Sequence, residues 1–299
     1  MRACVTQRAW FDPTVCAVSD ASLTLQEAAE LLGVHYMTAY RYVRLGLLHA
    51  TKVGGTWHVA SSDLEAFRSG SATTVTDPTN AKRRAPWASR LEARLVAGDS
   101  AGAWGVVEAA MSAGSELDEI YLDVVAPAMR SIGARWERGE LDISVEHRAT
   151  GIAQRIIGRL GPRFGRRGRS RGTILLGTPE GERHSLPVAM ISDLLRGVGW
   201  DVSDLGSDLP VTSFLAAVRD TPDLVAVGVS ISSHEGVAAA PALLAAVRAA
   251  RPDVPVVAGG HAVQGADHAL ELGATAYADT VEHFVELLDG RGMGATAGA

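Results

Sequence analysis

The sequence predicts a multidomain chain of α and α/β class: a winged helix-turn-helix, a four-helix bundle and a flavodoxin-like (Rossmann-type) domain, in that order. Three observations carry this. Apolar residues recur at helical 3/4 spacing between residues 24 and 45 and again between 87 and 160. From residue 173 onward, short apolar runs alternate with helical segments, the pattern of a parallel sheet covered on both faces. Two polar stretches, 69–86 and 161–172, separate these regions and read as linkers, the second holding four glycines and five arginines. They divide the chain into pieces at 20–68, 87–162 and 173–290, reasonable for 299 residues.

In the first piece, Thr24 and Glu27 have the spacing of a capping box ahead of Leu25, Ala28, Ala29, Leu31 and Leu32, and Gly33 stops that helix. A second helix is expected near 35–45, with Ala39, Tyr42 and Val43 on one face. Beyond it the sequence reads as strand, Gly-Gly turn, strand and short helix, which makes a wing. The middle piece has four helical segments, Trp87–Ala97, Ser100–Ser112, Glu116–Glu137 and Ile143–Leu160, joined by short glycine-containing stops. Short loops predict an antiparallel bundle. In the last piece, strands are expected at 173–177, 202–206, 224–230, 255–260 and 275–278. Helices are expected near 186–198, 211–219, 236–250 and 280–289, and ligands bind such sheets beyond the carboxyl ends of the strands.

Composition excludes several classes. Hydrophobic residues make up 47% and charged residues 21%, so disorder is not the main state. No run approaches the ~20 apolar residues that span a bilayer, and Arg8, Asp12 and Asp20 interrupt any signal-peptide pattern. A cytoplasmic protein without membrane contact is expected. Cys4 and Cys16 are too few for a disulfide framework or a metal site. The net charge of −6 is unevenly spread: residues 76–172 carry sixteen Lys/Arg against twelve Asp/Glu, and residues 173–299 six against sixteen. That acidity argues against a general nucleic-acid coat protein, not against a local DNA-binding element.

Residues 20–68 resemble the winged helix-turn-helix of the MerR and excisionase group. The resemblance implies that His35, Tyr36, Thr38, Arg41 and Arg44 occupy the helix that enters the major groove of operator DNA. Lys52 and the amides of Gly54 and Gly55 would touch phosphates.

The strand ends of the last piece carry TPEGERHSLP (178–187), GSDLP (206–210), SISS (230–233) and the pair Gly259-Gly260. Together these resemble the cobalamin-binding domain of methyltransferase carriers and mutases. The resemblance implies that His184 ligates cobalt from below in place of the cofactor's own base, with Glu182 accepting the other ring N–H. It also implies that Ser230 or Ser232 hydrogen-bonds the displaced nucleotide tail while Gly259 and Gly260 leave it room. Pro187 departs from the pattern, standing where that family has glycine.

Trp136 is followed by nine residues and then Glu146-His147. With the three pieces in this order, the chain resembles the CarH/LitR group of cobalamin-dependent, light-responsive MerR-type repressors. That resemblance implies an adenosylcobalamin (or another cobalamin), with Trp136, Glu146 and His147 over its upper face. It further implies a homo-oligomer, expected to be a tetramer, whose assembly sets DNA binding. Some members have histidine directly after the tryptophan; this chain has Glu137. No catalytic acid/base pair of its own is present, so a regulator rather than an enzyme is expected. The alternatives are a cobalamin-level sensor without photochemistry and a corrinoid methyl carrier of a methyltransferase system.

Overall fold

The computed structural model describes residues 22–34, 36–44, 48–53, 56–68, 85–166 and 168–290. They belong to two units, one ending at Val75 and the other beginning at Thr76.

In the first unit, Thr24 caps helix α1 (Leu25–Leu32): its amide donates to Glu27 Oε2 at 2.8 Å and its Oγ1 accepts from the Glu27 amide at 3.3 Å. Gly33, at φ 69°, closes that helix in the left-handed region, where glycine has no steric penalty. Helix α2 (Tyr36–Arg44), strands β2 (Thr51–Val53) and β3 (Thr56–Ala60) and helix α3 (Ser61–Arg68) follow as expected. The sequence reading missed strand β1 (Ser22–Thr24), which pairs antiparallel with β3 and makes the sheet order β1-β3-β2. Leu25, Ala28, Ala39, Tyr40, Leu48, Val59 and Leu64 form the core.

The second unit begins with helices α4 (Trp87–Ala97) and α5 (Ser100–Ser112). The third helical segment, expected to be continuous, contains a break. Helix α6 (Leu117–Glu119) runs into a π-helical turn (Ile120–Val125) before α7 (Ala126–Glu137), and the Ala126 amide bonds the carbonyl of Tyr121, five residues back. Pro127 has no N–H and its ring crowds the preceding turn, so the regular ladder shifts just ahead of it. Helix α8 (Ile143–Leu160) completes the bundle around Leu91, Leu95, Val107, Ile132, Ile152 and Ile156.

Strands β4 (Thr173–Gly177), β5 (Asp201–Asp204), β6 (Leu224–Ser230), β7 (Val256–Gly259) and β8 (Ala276–Tyr277) form an all-parallel sheet of order β5-β4-β6-β7-β8, the flavodoxin-like order. Helices α9 (Ser185–Gly197) and α13 (Val281–Leu288) cover one face, and α10 (Val211–Asp220) and α11 (His234–Ala250) the other. The sequence reading placed no helix where α12 (Ala266–Leu272) lies, and it placed β5 one residue late at its start and two at its end.

The stretch 161–172 is not a free linker. Phe164 is buried in the bundle core 4.8 Å from the Tyr121 ring, and Arg171 lies over Trp200 and pairs with Asp289. Met190 and Leu194 of α9 join the same core, so the bundle packs against this helix of the α/β domain. At that boundary the Tyr121 hydroxyl donates to the buried Asp193 at 2.8 Å, and Arg196 donates to the other oxygen of Asp193 at 2.9 Å. No helix among the described residues is long and apolar enough to cross a membrane.

Candidate functional site

The loop after β4 delivers Glu182 and His184 to the carboxyl end of the sheet. His184 is the residue on which α9 begins, and Pro187 is the third residue of that helix, where no intrahelical amide partner is required. The departure from glycine at 187 therefore leaves the loop and helix intact.

Glu182 is completely buried while the His184 side chain is 57% exposed. One carboxylate oxygen lies 2.5 Å from His184 Nδ1 and accepts the His184 amide at 3.0 Å; the other accepts the amides of Ser232 and Ser233, each at 2.7 Å. Burial pushes the Glu182 carboxyl up, but the bonds from His184, Ser232 and Ser233 outweigh it and hold the group at about 2. The ionised carboxylate places the imidazole proton on Nδ1, leaving Nε2 with a free lone pair. The hydrogen bond to Glu182 raises the His184 pKa above its ordinary value against the opposing effect of burial.

The carboxylates of Glu146 and Glu137 on the bundle add a smaller electrostatic effect in the same direction. Gln154, two turns along α8 from Glu146, donates to Ser185 Oγ at 3.3 Å and ties that helix face beside His184. Glu146 accepts from His147 Nδ1 at 2.8 Å and from Thr150 Oγ1 at 2.7 Å, which fixes its direction on the helix. His147 is open to solvent. Trp136 is 41% exposed, so it is not an interior packing residue.

Ser230, the last residue of β6, is all but buried and stands opposite Gly259 in register. Room for a ligand is not needed to explain the glycine pair. A Cβ at Gly259 would sit 2.2 Å from the Ala278 carbonyl oxygen, and one at Gly260, whose φ is +107°, would sit 2.4 Å from that of Ile231. The chain's own backbone requires both. Sequence reasoning missed two contributors. Ser233 caps α11 by accepting from the Gly236 amide at 3.0 Å, and its own amide holds Glu182. Gly236 leaves the space for that carboxylate, since a Cβ there would lie 2.6 Å from Oε2. Ser233 stood within the quoted SISS motif; Gly236 gave no signal of its own.

No group of three or more His, Cys, Asp or Glu able to hold a metal occurs among the described residues. One exposed imidazole, pinned through its second nitrogen, fits the axial position of a corrin's cobalt.

In the first unit, Thr38, Arg41 and Arg44 lie on α2. Tyr36 is half-buried and stacked on Tyr40 at 6.3 Å, and the Lys52 ammonium stands 5.7 Å from the Trp57 ring. His35, Gly54 and Gly55 lie outside the described residues.

Residues 22–71 match the family model of a helix-turn-helix domain, and residues 87–160 and 172–288 match two models of a B12 binding domain. The dimethylamine corrinoid protein of Methanosarcina barkeri is 31% identical over 110 residues, 35% of this chain and 50% of that protein. Trimethylamine corrinoid protein 1 of Methanosarcina acetivorans is 27% identical over 125 residues, 40% of this chain and 58% of that protein. The chain thus spans little more than half the length of the curated relatives it matches. The structure of the Methanosarcina barkeri monomethylamine corrinoid protein superposes with a TM-score of 0.57 at 20% identity, covering 67% of this chain and 96% of the other, which shows a shared fold. These matches support a corrinoid cofactor for the second unit.

Proposed function

We propose that the chain is a cobalamin-dependent DNA-binding regulator rather than an enzyme. The observation that carries this reading is the union, in one chain, of a helix-turn-helix match with two B12-binding matches, the bundle helix of one bonded through Gln154 to Ser185 beside the His184 of the other. His184 would hold the cobalt, with Glu182 fixing its tautomer, and Ser230 and Ser232 would hydrogen-bond the cofactor's nucleotide portion. Trp136 offers an exposed indole to the upper side, and Glu146 offers a carboxylate suited to a ribose hydroxyl. When bound, an adenosylcobalamin supplies a light-sensitive carbon–cobalt bond. Contacts from Trp136, Glu146 and His147 that exist only with the adenosyl group in place would bias how copies of the chain assemble, with a tetramer as the dark state. A winged fold of MerR type would present Thr38, Arg41 and Arg44 to the major groove, and repression follows if the operator overlaps a promoter.

A second reading is a corrinoid methyl carrier. The curated relatives favour it, since their names are those of corrinoid proteins. The two readings separate in one comparison. DNase footprinting on the chain's own upstream DNA, with adenosylcobalamin in the dark and after illumination, shows a protected site that depends on cofactor state if the chain regulates. Absence of protection in every state, together with methyl transfer from the methylcobalamin-loaded protein to a thiol acceptor in the presence of a partner methyltransferase, establishes the carrier instead. A site protected with adenosylcobalamin but indifferent to light leaves a cobalamin-level sensor.

A further inference from the structure

The loop that carries Glu182 and His184 is held from a second side by the loop after β5. Asp208 is one of two non-glycine residues with a left-handed backbone, at φ 60°, among those described. Aspartate tolerates that region better than most residues, but the conformation still has to be held in place by its surroundings. Three bonds hold it. The Asp208 amide donates at 2.9 Å to the carbonyl of Glu182 and at 2.9 Å to Thr178 Oγ1. Its carboxylate Oδ1, although exposed, accepts the Gly181 amide at 2.7 Å. Thr178, completely buried, closes the set by donating to the same Glu182 carbonyl at 2.9 Å. A parallel bridge between Pro179 and Leu209 lies beside them.

We propose that Asp208 is a positioning residue for the lower axial imidazole, fixing the backbone of Gly181 and Glu182 so that His184 Nε2 is presented at one place. The inference rests on the corrin reading of the site. Ser232 and Ser233 fix the Glu182 carboxylate from the β6 side; Asp208 and Thr178 fix its main chain from the β5 side. The imidazole is 57% exposed and its Nδ1 is bonded to Glu182, so its aim follows the placement of Glu182. With φ positive, the Asp208 amide and carboxylate both bond the 178–182 loop.

Three variants of the full-length chain test this: Asp208→Asn, Asp208→Gly and Asp208→Ala. Asparagine keeps both the acceptor oxygen and the tolerance of positive φ; glycine keeps the backbone freedom and loses the acceptor. The readouts are the absorption bands that mark replacement of the cofactor's own base, and the dissociation constant for adenosylcobalamin. Asp208→Gly should bind about 10-fold more weakly, the lower end of what loss of an outer-shell partner costs a metal site, with a larger fraction keeping its own base. Asp208→Asn should match the wild type. If Asp208→Ala fails to fold, the other two variants still decide. A wild-type spectrum that changes with His184→Ala, combined with an Asp208→Gly spectrum and affinity equal to wild type, overturns this proposal alone. A wild-type spectrum indifferent to His184→Ala overturns the corrin reading and this proposal with it.

Discussion

Glu182 and His184 stand two residues apart, and a fully buried carboxylate accepts the Nδ1 proton of a half-exposed imidazole across 2.5 Å. The pair divides one task. The carboxylate is held by three backbone amides and cannot turn, and the imidazole keeps one nitrogen for a ligand.

The first prediction concerns acid stability. The Glu182 carboxyl sits at about 2 against an ordinary 4.5, so its ionised form stabilises the fold by about 3 kcal/mol, fully present above pH 4.5 and lost as pH falls towards 2. The raised His184 pKa acts oppositely: its share is present below the ordinary value of 6.5 and is lost as pH rises through the folded value. The two shifts describe one interaction and are not added. As far as this pair is concerned, the cofactor-free protein should therefore be most resistant to thermal unfolding between about pH 5 and 6.5. In Glu182→Gln the acid limb should flatten; an unchanged pH profile would show that the pair contributes nothing.

Gly260→Ala should destabilise the protein even without cofactor. The new Cβ would meet the Ile231 backbone at 2.4 Å with φ at +107°, at a cost of roughly 2–4 kcal/mol from backbone strain and overpacking. Urea unfolding measures this directly. If the glycine served only to admit a ligand, the cofactor-free variant would unfold like wild type.

Trp136→Ala tests the upper side of the cofactor. An indole already 41% exposed costs less to remove than a core aromatic, so the loss of stability should stay below the roughly 3–5 kcal/mol typical of a buried Trp→Ala. The affinity for adenosylcobalamin should fall if the ring covers the upper ligand. Calorimetric titration beside a thermal melt separates the two effects.

Tyr121→Phe removes the hydroxyl that donates to Asp193 at the boundary between the bundle and α9. Arg196 still pairs with Asp193, so the loss is one buried hydrogen bond, about 1–3 kcal/mol by urea unfolding. A change indistinguishable from zero would mean that Arg196 alone satisfies the carboxylate.

Much of the architecture was legible because it is written in local signals. The Thr24/Glu27 box, the Gly33 stop and the apolar runs of β4 and β6 each act over a few residues. What was missed depends on distant partners. The three residues of β1 become a strand only because β3 offers an edge, and the helix α12, seven residues long, follows Gly265 at φ 133° with little sequence to announce it. An arginine- and glycine-rich stretch resembled a linker because the single Phe164 that anchors it is outnumbered. The site shows the same division. Glu182 and His184 are near neighbours in sequence, so their pairing was readable; the Ser233 amide lies 51 residues from Glu182, and the empty space at Gly236 exists only once α11 has packed.

The most direct measurement is the absorption spectrum of purified protein with adenosylcobalamin, recorded in the dark for wild type and His184→Ala. The wild type should show the cofactor with its own base displaced and a histidine in its place, and His184→Ala should lose that signature while still folding. A base-displaced spectrum carrying histidine ligation in both proteins would contradict the assignment of His184 and the site built around it.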